Sequence, residues 1–449
     1  MPRVEDSSCP RRHRYRVGAI RLAARLVAGL GVSYRAAAAT LALLPGAAGR
    51  APHPATLRQW LLRPGLARLR RPLPAAPGGW VLIADHTAQA GPRKLFAVLG
   101  LPAAALAHAG FAPAHADVVT LAVEAARRCT GEGVYGTLRA VAARVGEVAQ
   151  VVCDKGSESG YAVRQRQGSR PEVVSTYDVR HLLACLLKAL LAGCPRWGEF
   201  TGHCGRSIPA LRQTAGNFLA PPALRVEARY MNLDTHVRWA ERLLAWEHKG
   251  DWAALAGALG VAGPQEAKGW FDQRPGWVRE FGADVRGWGG MMAAARLALE
   301  QVHGNGPSRQ TAGRFWLKWQ RSGQGLPFVA WRLARRVRHA LAQEGRKVPA
   351  GRALLGSSDV IESVFGKYEE LVKAGPGELG AGVLLLPLLT GELGHAEIKQ
   401  GLEAISAAAA RQGVKEQMGE TAQAKRCRIL GGGPRPPDPP TDSQGPRAA

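Results

Sequence analysis

Five short runs of apolar and β-branched residues constrain the fold more than any other feature of this sequence. The runs cover residues 80–84, 94–99, 118–123, 149–152 and 173–176, and a helical pattern covers 131–145. Short turns join the first three runs. Three strands, then a helix and two more strands, predict a mixed α/β sheet.

The rest of the chain is predicted to be helical. Residues 181–350 lack strand patterns and hold ten of the twelve tryptophans. We therefore divide the chain into a helix-turn-helix DNA-binding region (1–75), the first part of an α/β core (76–180), a large α-helical insertion (181–350), the second part of the core with C-terminal helices (351–425) and a proline-rich disordered tail (426–449).

The charge of the chain points to a polyanionic partner. Lys and Arg total 60 against 35 acids, a net charge of +25, and double-stranded DNA is the first candidate. Residues 1–75 hold fourteen arginines and two acids, on a predicted helix, glycine turn and helix (16–44) and a short helix (56–62). The candidate phosphate contacts there are Arg35, Arg58, Arg63, Arg68, Arg70 and Arg71. A plain helical bundle with a solvated arginine face is the alternative.

A second basic stretch lies between residues 331 and 352, where Glu344 is the single acid. It leads into the predicted helix at 358–373. Candidate phosphate contacts are Arg332, Arg335 and Arg336, with Lys367 on the following helix.

Two aspartates directly follow predicted strands. Asp85 follows the first run and Asp154 the fourth. Adjacent strands would bring these like charges close together, which is costly unless a cation neutralises them. Oxygen ligands suit Mg²⁺ or Mn²⁺. Asp178, which follows the fifth run, is the rival of Asp154 as the second ligand.

A third acid is expected from the helix at 358–373. Glu362 lies beside the apolar stripe of that helix and can reach the strand ends. Asp359 is its rival, although an acid in the first turn has a structural role opposite the helix dipole. His181 either orients the site or is a buried structural histidine.

The acidic strings resemble those of the DDE transposases of bacterial insertion sequences. Asp85-His-Thr and Cys153-Asp-Lys-Gly match the positions of that family's two aspartates, and the string from Ser358 through Glu362 to Tyr368 is similar to its final-Glu motif. Asp178-Val-Arg-His181 resembles the Asp/Cys-x-x-His signature of hAT and Mutator-like transposases. Asp154 and Glu362 lie 208 positions apart, so the resemblance requires the helical insertion, and the Tyr-Arg-Glu-Lys pattern of another branch is absent.

The resemblance implies an RNase H-like core in which Asp85, Asp154 and Glu362 hold two Mg²⁺ or Mn²⁺ ions, with His181 orienting the site. It also implies cleavage at transposon ends, strand transfer into target DNA, and a homodimer or larger synaptic complex. The alternatives are an RNase H-like nuclease or resolvase without strand transfer, and a domesticated transposase acting as a DNA-binding regulator.

The sequence also carries expectations about location. Its longest apolar run, 383–389, is far too short to span a membrane. The seven cysteines are scattered, which favours a reducing compartment. We expect a bacterial cytoplasmic protein associated with the nucleoid.

Overall fold

A computed structural model describes residues 8–43, 52–90, 93–126, 129–154, 156–223, 233–352, 354–373 and 380–418, with 426, 429 and 430. Its central sheet has the strand order β3-β2-β1-β4-β5. The strands are β1 Trp80–Ala90, β2 Arg93–Pro102, β3 Val119–Ala126, β4 Val148–Cys153 and β5 Val174–Tyr177. β1, β2 and β3 are antiparallel neighbours, whereas β4 is parallel to both β1 and β5. The predicted mixed sheet is confirmed.

The helices surround this sheet and form the long region that follows it. They are α1 Val17–Ala24, α2 Tyr34–Ala42, α3 Pro54–Arg70, α4 Leu106–Ala109, α5 Gly131–Val145, α6 Ser157–Ser169, α7 Val179–Leu191, α8 Pro195–Arg212, α9 Leu233–Lys249, α10 Trp252–Leu259, α11 Pro264–Gln273, α12 Gly282–Asn305, α13 Thr311–Ser322, α14 Phe328–Arg346, α15 Asp359–Lys373, α16 His395–Ala404 and α17 Ala407–Met418. None of these helices is long and apolar enough to cross a bilayer.

Two differences from the predicted elements have clear physical causes. The β1 and β2 strands extend past their apolar runs as one antiparallel hairpin, which keeps polar residues such as Asp85 in a hydrogen-bonded ladder. Helix α6 was missed because polar residues dominate it and it shows no apolar stripe. Parallel strands need a crossover connection, so the parallel pairing of β4 and β5 requires an element of this kind.

The N-terminal helices begin as the sequence predicts. The turn between α1 and α2 contains Gly31 at φ +70. Ser33 then caps α2, because its Oγ accepts a hydrogen bond from the Ala36 N–H at 3.1 Å. Helix α3 is longer than the predicted 56–62 and continues through Pro64. Its buried side chains continue beyond the proline, so packing outweighs the lost backbone hydrogen bond.

Helix α3 lies inside a hydrophobic core that the sheet shares. One face of the sheet, helices α1, α2, α3 and α15, the 3₁₀ segment Ala381–Leu389, and helices α16 and α17 contribute to this core. Helix α3 approaches the 3₁₀ segment closely at Gly65, since a Cβ atom there would lie 1.8 Å from the Leu384 carbonyl oxygen. The described residues of the region that we predicted to bind DNA therefore share the core of the sheet.

The predicted helical region between β5 and α15 has a second core. Three of its tryptophans, Trp197, Trp288 and Trp319, are buried there, and the other seven are partly buried against it. This is the packing that large apolar rings favour.

Candidate metal centre

The strand register places three aspartates at one edge of the sheet. The last parallel partners of β1 and β4 are Ala84 and Cys153, and the last partners of β4 and β5 are Cys153 and Tyr177. The next residues along the three strands are Asp85, Asp154 and Asp178. Asp85 lies within β1, directly after the last residue that pairs with β4, and Asp154 directly follows β4, so the two predicted neighbours lie on adjacent strands at the same edge.

Asp85 is a buried carboxylate at the centre of this edge. It is 7% exposed, and its Oδ1 accepts a hydrogen bond from the His86 N–H at 2.7 Å. Burial, together with the charges of Asp154 and Glu362, raises the pKa of Asp85 to about 7 against the opposing effects of the His86 N–H and His181. Such a group needs a nearby positive charge to remain ionised at neutral pH.

Asp178 connects the starts of two helices. Its Oδ1 caps α7 by accepting a hydrogen bond from the His181 N–H at 2.8 Å, and its Oδ2 accepts hydrogen bonds from the Ser358 N–H and from the Ser358 Oγ at 2.9 Å. The side chain is fully buried. Both oxygens are therefore engaged in joining α7 to the residue before α15, which accounts for Asp178 without a metal.

Gln150 on β4 holds the segment that returns the chain to the sheet. Its Oε1 accepts a hydrogen bond from the Leu355 N–H at 3.0 Å, and its Nε2 donates to the Leu355 carbonyl at 2.5 Å and to Thr176 Oγ1 at 2.6 Å. The Val179 N–H donates to the Gly356 carbonyl at 2.9 Å. These bonds fix the start of α15 beside β5, a role that the sequence analysis missed. A buried polar residue within an apolar strand was the available signal.

Glu362 and His181 complete the cluster. One ligand atom each from Asp85, His181 and Glu362 lie within 4.8 Å of one another. The His181 Nε2 is 3.5 Å from the Glu362 Oε1. This contact with Glu362, together with the charges of Asp178 and Asp85, raises the pKa of His181 to about 9 against the effect of burial. The imidazole is therefore cationic at neutral pH and offsets the charge of the acids.

Asp359, the rival of Glu362, has other partners. Its Oδ1 lies 2.5 Å from Arg180 Nε, and its Oδ2 lies 3.2 Å from His303 Nε2. Burial acts to raise the pKa of Asp359, but His303 and Arg180 outweigh it and hold the pKa below its ordinary value. The structure thus brings Glu362, and not Asp359, into the group with Asp85.

Asp154 lies next to the cluster of Asp85, His181 and Glu362 but is not one of the three residues whose ligand atoms lie within 4.8 Å of one another. Its charge acts on Asp85, but its carboxylate lies beside Gly156, where an added Cβ would be 2.9 Å from Asp154 Oδ2. Its Oδ1 is buried and has no hydrogen-bond partner among the described residues. This oxygen is available for a ligand.

The donor atoms of the cluster suit a divalent cation. Asp154 Oδ1 is buried and has no hydrogen-bond partner within the described ranges, whereas the buried Glu362 Oε1 and His181 Nε2 contact each other at 3.5 Å. Buried polar atoms are rarely left unpaired, so Asp154 Oδ1 indicates a missing partner. Carboxylate oxygens are the ligands that Mg²⁺ and Mn²⁺ prefer. Asp85, Asp154 and Glu362 therefore fit such ions.

The predicted DNA-contacting residues fall into two groups. Arg63, Arg68, Arg70 and Arg71 have partners inside the protein: Arg63 donates to the Leu402 and Ile405 carbonyls, Arg68 and Arg71 pair with Glu397, and Arg70 pairs with Glu416. Six others are exposed and have no ion pair within the part of the chain that the structure describes. They are Arg35, Arg58, Arg332, Arg335, Arg336 and Lys367.

Lys367 lines a groove next to the cluster. The groove has a volume of about 710 Å³, and its lining includes Asp359 with its partners Arg180 and His303, together with Ser363 and Lys367. Lys367 is the charge of this groove that remains without an ion pair among the described residues, and it lies on the helix that carries Glu362.

Substitutions should separate the roles of Asp154 and Asp178. We expect Asp178→Ala to destabilise the protein by about 2–4 kcal/mol, because it leaves buried donors at the starts of α7 and α15 unpaired. Asp154→Ala should leave stability nearly unchanged and reduce the gain in melting temperature on adding Mn²⁺. Thermal denaturation with and without Mn²⁺ measures both effects. An unchanged Mn²⁺ response in Asp154→Ala, together with a lost response in a folded Asp178→Ala, would identify Asp178 as the ligand instead.

A scan against protein-family models and a search of curated proteins found no match to this chain.

Proposed function

We propose that the protein is a DNA transposase of the DDE type, which cleaves at transposon ends and joins them to target DNA. The observation that carries the proposal is the meeting of Asp85 and Glu362, which come from a strand early in the sheet and from a helix beyond the long helical region. Their convergence with His181 gives an acidic group suited to metal-assisted phosphodiester chemistry.

The fold supports the same proposal. Three antiparallel strands followed by two parallel strands, in the order 3-2-1-4-5, with one acid on the first strand and one directly after the fourth, are the arrangement expected of the RNase H-like core that the sequence resemblance implies. The third acid lies on α15, which packs against β1 through the shared core. On this interpretation, residues 181–350 are the helical insertion.

Each residue of the cluster has a role in the proposed reaction. Two bound Mg²⁺ or Mn²⁺ ions would supply activation of water or a DNA 3′-hydroxyl and neutralisation of the attacked phosphodiester. Asp85 would hold both ions, and Asp154 and Glu362 would hold one each. His181 lies against Glu362 and keeps that side chain directed toward Asp85. Asp178 positions both His181 and α15 through its three hydrogen bonds.

The DNA would lie across exposed basic residues around this edge. Arg332, Arg335 and Arg336 lie on α14, whose buried Glu344 accepts a hydrogen bond from the Tyr177 N–H of β5 at 3.0 Å. The basic face of α14 is therefore fixed relative to the strand ends. Arg35 and Arg58 would contact the transposon end from the N-terminal helices. Because two ends are joined to one target, we propose a homodimer or larger assembly as the active form.

The test uses purified full-length protein and duplexes carrying the DNA that flanks its gene. We expect Mg²⁺- or Mn²⁺-dependent nicking that leaves a 3′-hydroxyl at the element end, followed by joining of that end to a target plasmid. Duplexes with scrambled ends are the control. Cleavage of both duplexes without joined product would instead establish the nuclease alternative, and end binding without cleavage would establish the regulator.

The basic face of α14 gives a prediction for binding. Replacing both Arg335 and Arg336 by Gln should weaken DNA binding and reduce the slope of log K against log salt by about 1.8, since each phosphate contact contributes about 0.9. Binding measured by fluorescence polarisation across salt concentrations gives the slope. Arg196→Gln is the control, because Arg196 is paired with Glu199 and Asp284. An equal slope for the double variant and the wild type would exclude this face as a DNA contact.

A further inference from the structure

The opposite edge of the sheet contains a second charged cavity. It has a volume of about 860 Å³ and lies at the starts of β4 and β5, between α5, the end of α6 and the residues Pro349, Arg352 and Leu354. Given about 3.3 Å per residue along the six residues of β4, it is about 20 Å from the carboxylate cluster. Its volume falls within the ~300–1,000 Å³ of small-molecule sites.

Arginines dominate the charge of this cavity. Its lining includes Arg139, Arg166, Arg170 and Arg352, against the two acids Glu147 and Glu172. Arg170 and Glu172 form a loose exposed pair at 3.6 Å. The lining therefore keeps a positive charge that these acids do not balance.

The environment of Arg166 indicates a ligand in this cavity. Arg166 is 8% exposed, and its Nε has no hydrogen-bond partner among the described residues. Arg68 is similarly buried, at 6%, yet it donates hydrogen bonds to Glu397 and to three backbone carbonyls. The charge of Glu172 acts on Arg166, but a buried guanidinium N–H without a hydrogen-bond acceptor is still costly. The contrast between the two arginines indicates that the acceptor for the Arg166 Nε comes from outside the described chain.

We propose that this cavity binds a phosphate group, with Arg166 as its buried anchor and Arg139, Arg170 and Arg352 at its mouth. A guanidinium presents several donors in a fixed plane, which match the oxygens of a phosphate. The group belongs either to a mononucleotide or to the backbone of DNA bound away from the carboxylate cluster. The proposal is independent of the DNA cleavage proposed for the other edge.

The first test compares thermal stability in inorganic phosphate and in chloride at equal ionic strength. The variant is Arg166→Met, and the control is Arg164→Met, an exposed arginine of α6 that does not line the cavity. When phosphate exceeds Kd about 100-fold, the melting temperature of the wild type and of Arg164→Met should rise by roughly 3 °C. Arg166→Met should show no rise and, without phosphate, should melt at or above the wild-type temperature.

Two outcomes would overturn the proposal. Equal phosphate shifts in Arg166→Met and Arg164→Met would show a general effect of anions on a basic protein. A lower melting temperature of Arg166→Met in chloride, with no phosphate response in the wild type, would show that Arg166 has only a structural role. Asp85→Asn should keep the full phosphate response, so failure of the cleavage proposal does not affect this test.

A second measurement distinguishes the two sources of the phosphate. The probes are a fluorescent mononucleotide and a labelled duplex without element ends. Arg166→Met should weaken binding of one of them at least tenfold, and Arg164→Met should weaken neither by a comparable amount. Loss of mononucleotide binding assigns a nucleotide site, loss of duplex binding alone assigns a DNA backbone contact, and unchanged binding of both contradicts the proposal.

Discussion

Replacing Asp85 by Asn should lower the rate of metal-dependent DNA cleavage on the order of 10⁴-fold, the size of effect seen when one member of a cooperating catalytic set is removed. The substitution keeps the shape of the side chain and the hydrogen bond from the His86 N–H. It removes the most buried negative charge among the proposed metal ligands. Single-turnover cleavage of an end-containing duplex in Mg²⁺ measures the loss.

Glu370→Gln is the matched control for this prediction. Glu370 is an exposed acid of α15, on the helix that carries Glu362, and it is not part of the cluster. It should cleave at the wild-type rate, whereas Glu362→Gln should show a loss similar to that of Asp85→Asn. A variant of Asp85 that is folded, binds DNA and cleaves at the wild-type rate would remove this site from the reaction.

Asp85→Asn should also differ from the wild type in its free energy of unfolding when no metal is bound. Burial raises the pKa of Asp85 from 3.8 to about 7, so the folded state binds this proton more tightly than the unfolded state does. The contribution of protonated Asp85 to the free energy of unfolding is therefore lost as the pH rises from about 4 to about 7. In EDTA, Asp85→Asn should become increasingly more stable than the wild type over that range, as measured by denaturant unfolding. A constant difference would contradict the raised pKa.

Replacing Arg68 by Met should destabilise the protein by about 3–5 kcal/mol, the usual cost of breaking a buried ion pair from one side. The guanidinium is 6% exposed and holds Glu397 of α16 through both carboxylate oxygens. It also donates to the Pro387, Thr390 and Glu392 carbonyls. All of these groups would lose the Arg68 donor at once, and Glu397 would keep its longer contact with Arg71, at 3.2 Å.

Arg70→Met provides the comparison, because Arg70 lies on the same helix and also forms an ion pair. Its pair with Glu416 is about half exposed on both sides, at 47% and 46%. Exposed pairs contribute about 0–1 kcal/mol, so this variant should unfold at nearly the wild-type denaturant concentration. Equal unfolding midpoints for the two variants would show that Arg68 does not hold α3 to the C-terminal helices.

The positions of Asp85, Asp154 and Glu362 could be anticipated because local patterns determine them. An acid directly after a buried apolar run marks the place where burial of the strand ends, although β1 itself continues past Asp85, and an acid beside a helical apolar stripe can face the sheet. The roles of Asp178 and Asp359 could not be settled in this way. Asp178 bonds to Ser358, 180 positions away, and a contact at that separation leaves no trace in the neighbouring residues.

The partners of the arginines of α3 could not be predicted from the sequence either. A basic residue near the end of a helix is equally compatible with solvent, DNA or a distant acid. Arg68 and Arg63 find their partners 319 to 342 positions later. The sequence could therefore give the charge of this region, but not which of its charges remain free for DNA.

The packing of α3 against the C-terminal helices also affects how the chain folds as it is made. Arg68 and the Pro387 carbonyl that it binds are 319 residues apart. At ~5–20 residues per second, synthesis of that length takes about 16–64 s. During this interval the apolar faces of the N-terminal helices lack their final partners. The N-terminal helices can therefore complete their packing only after the segment around Pro387 has been synthesised.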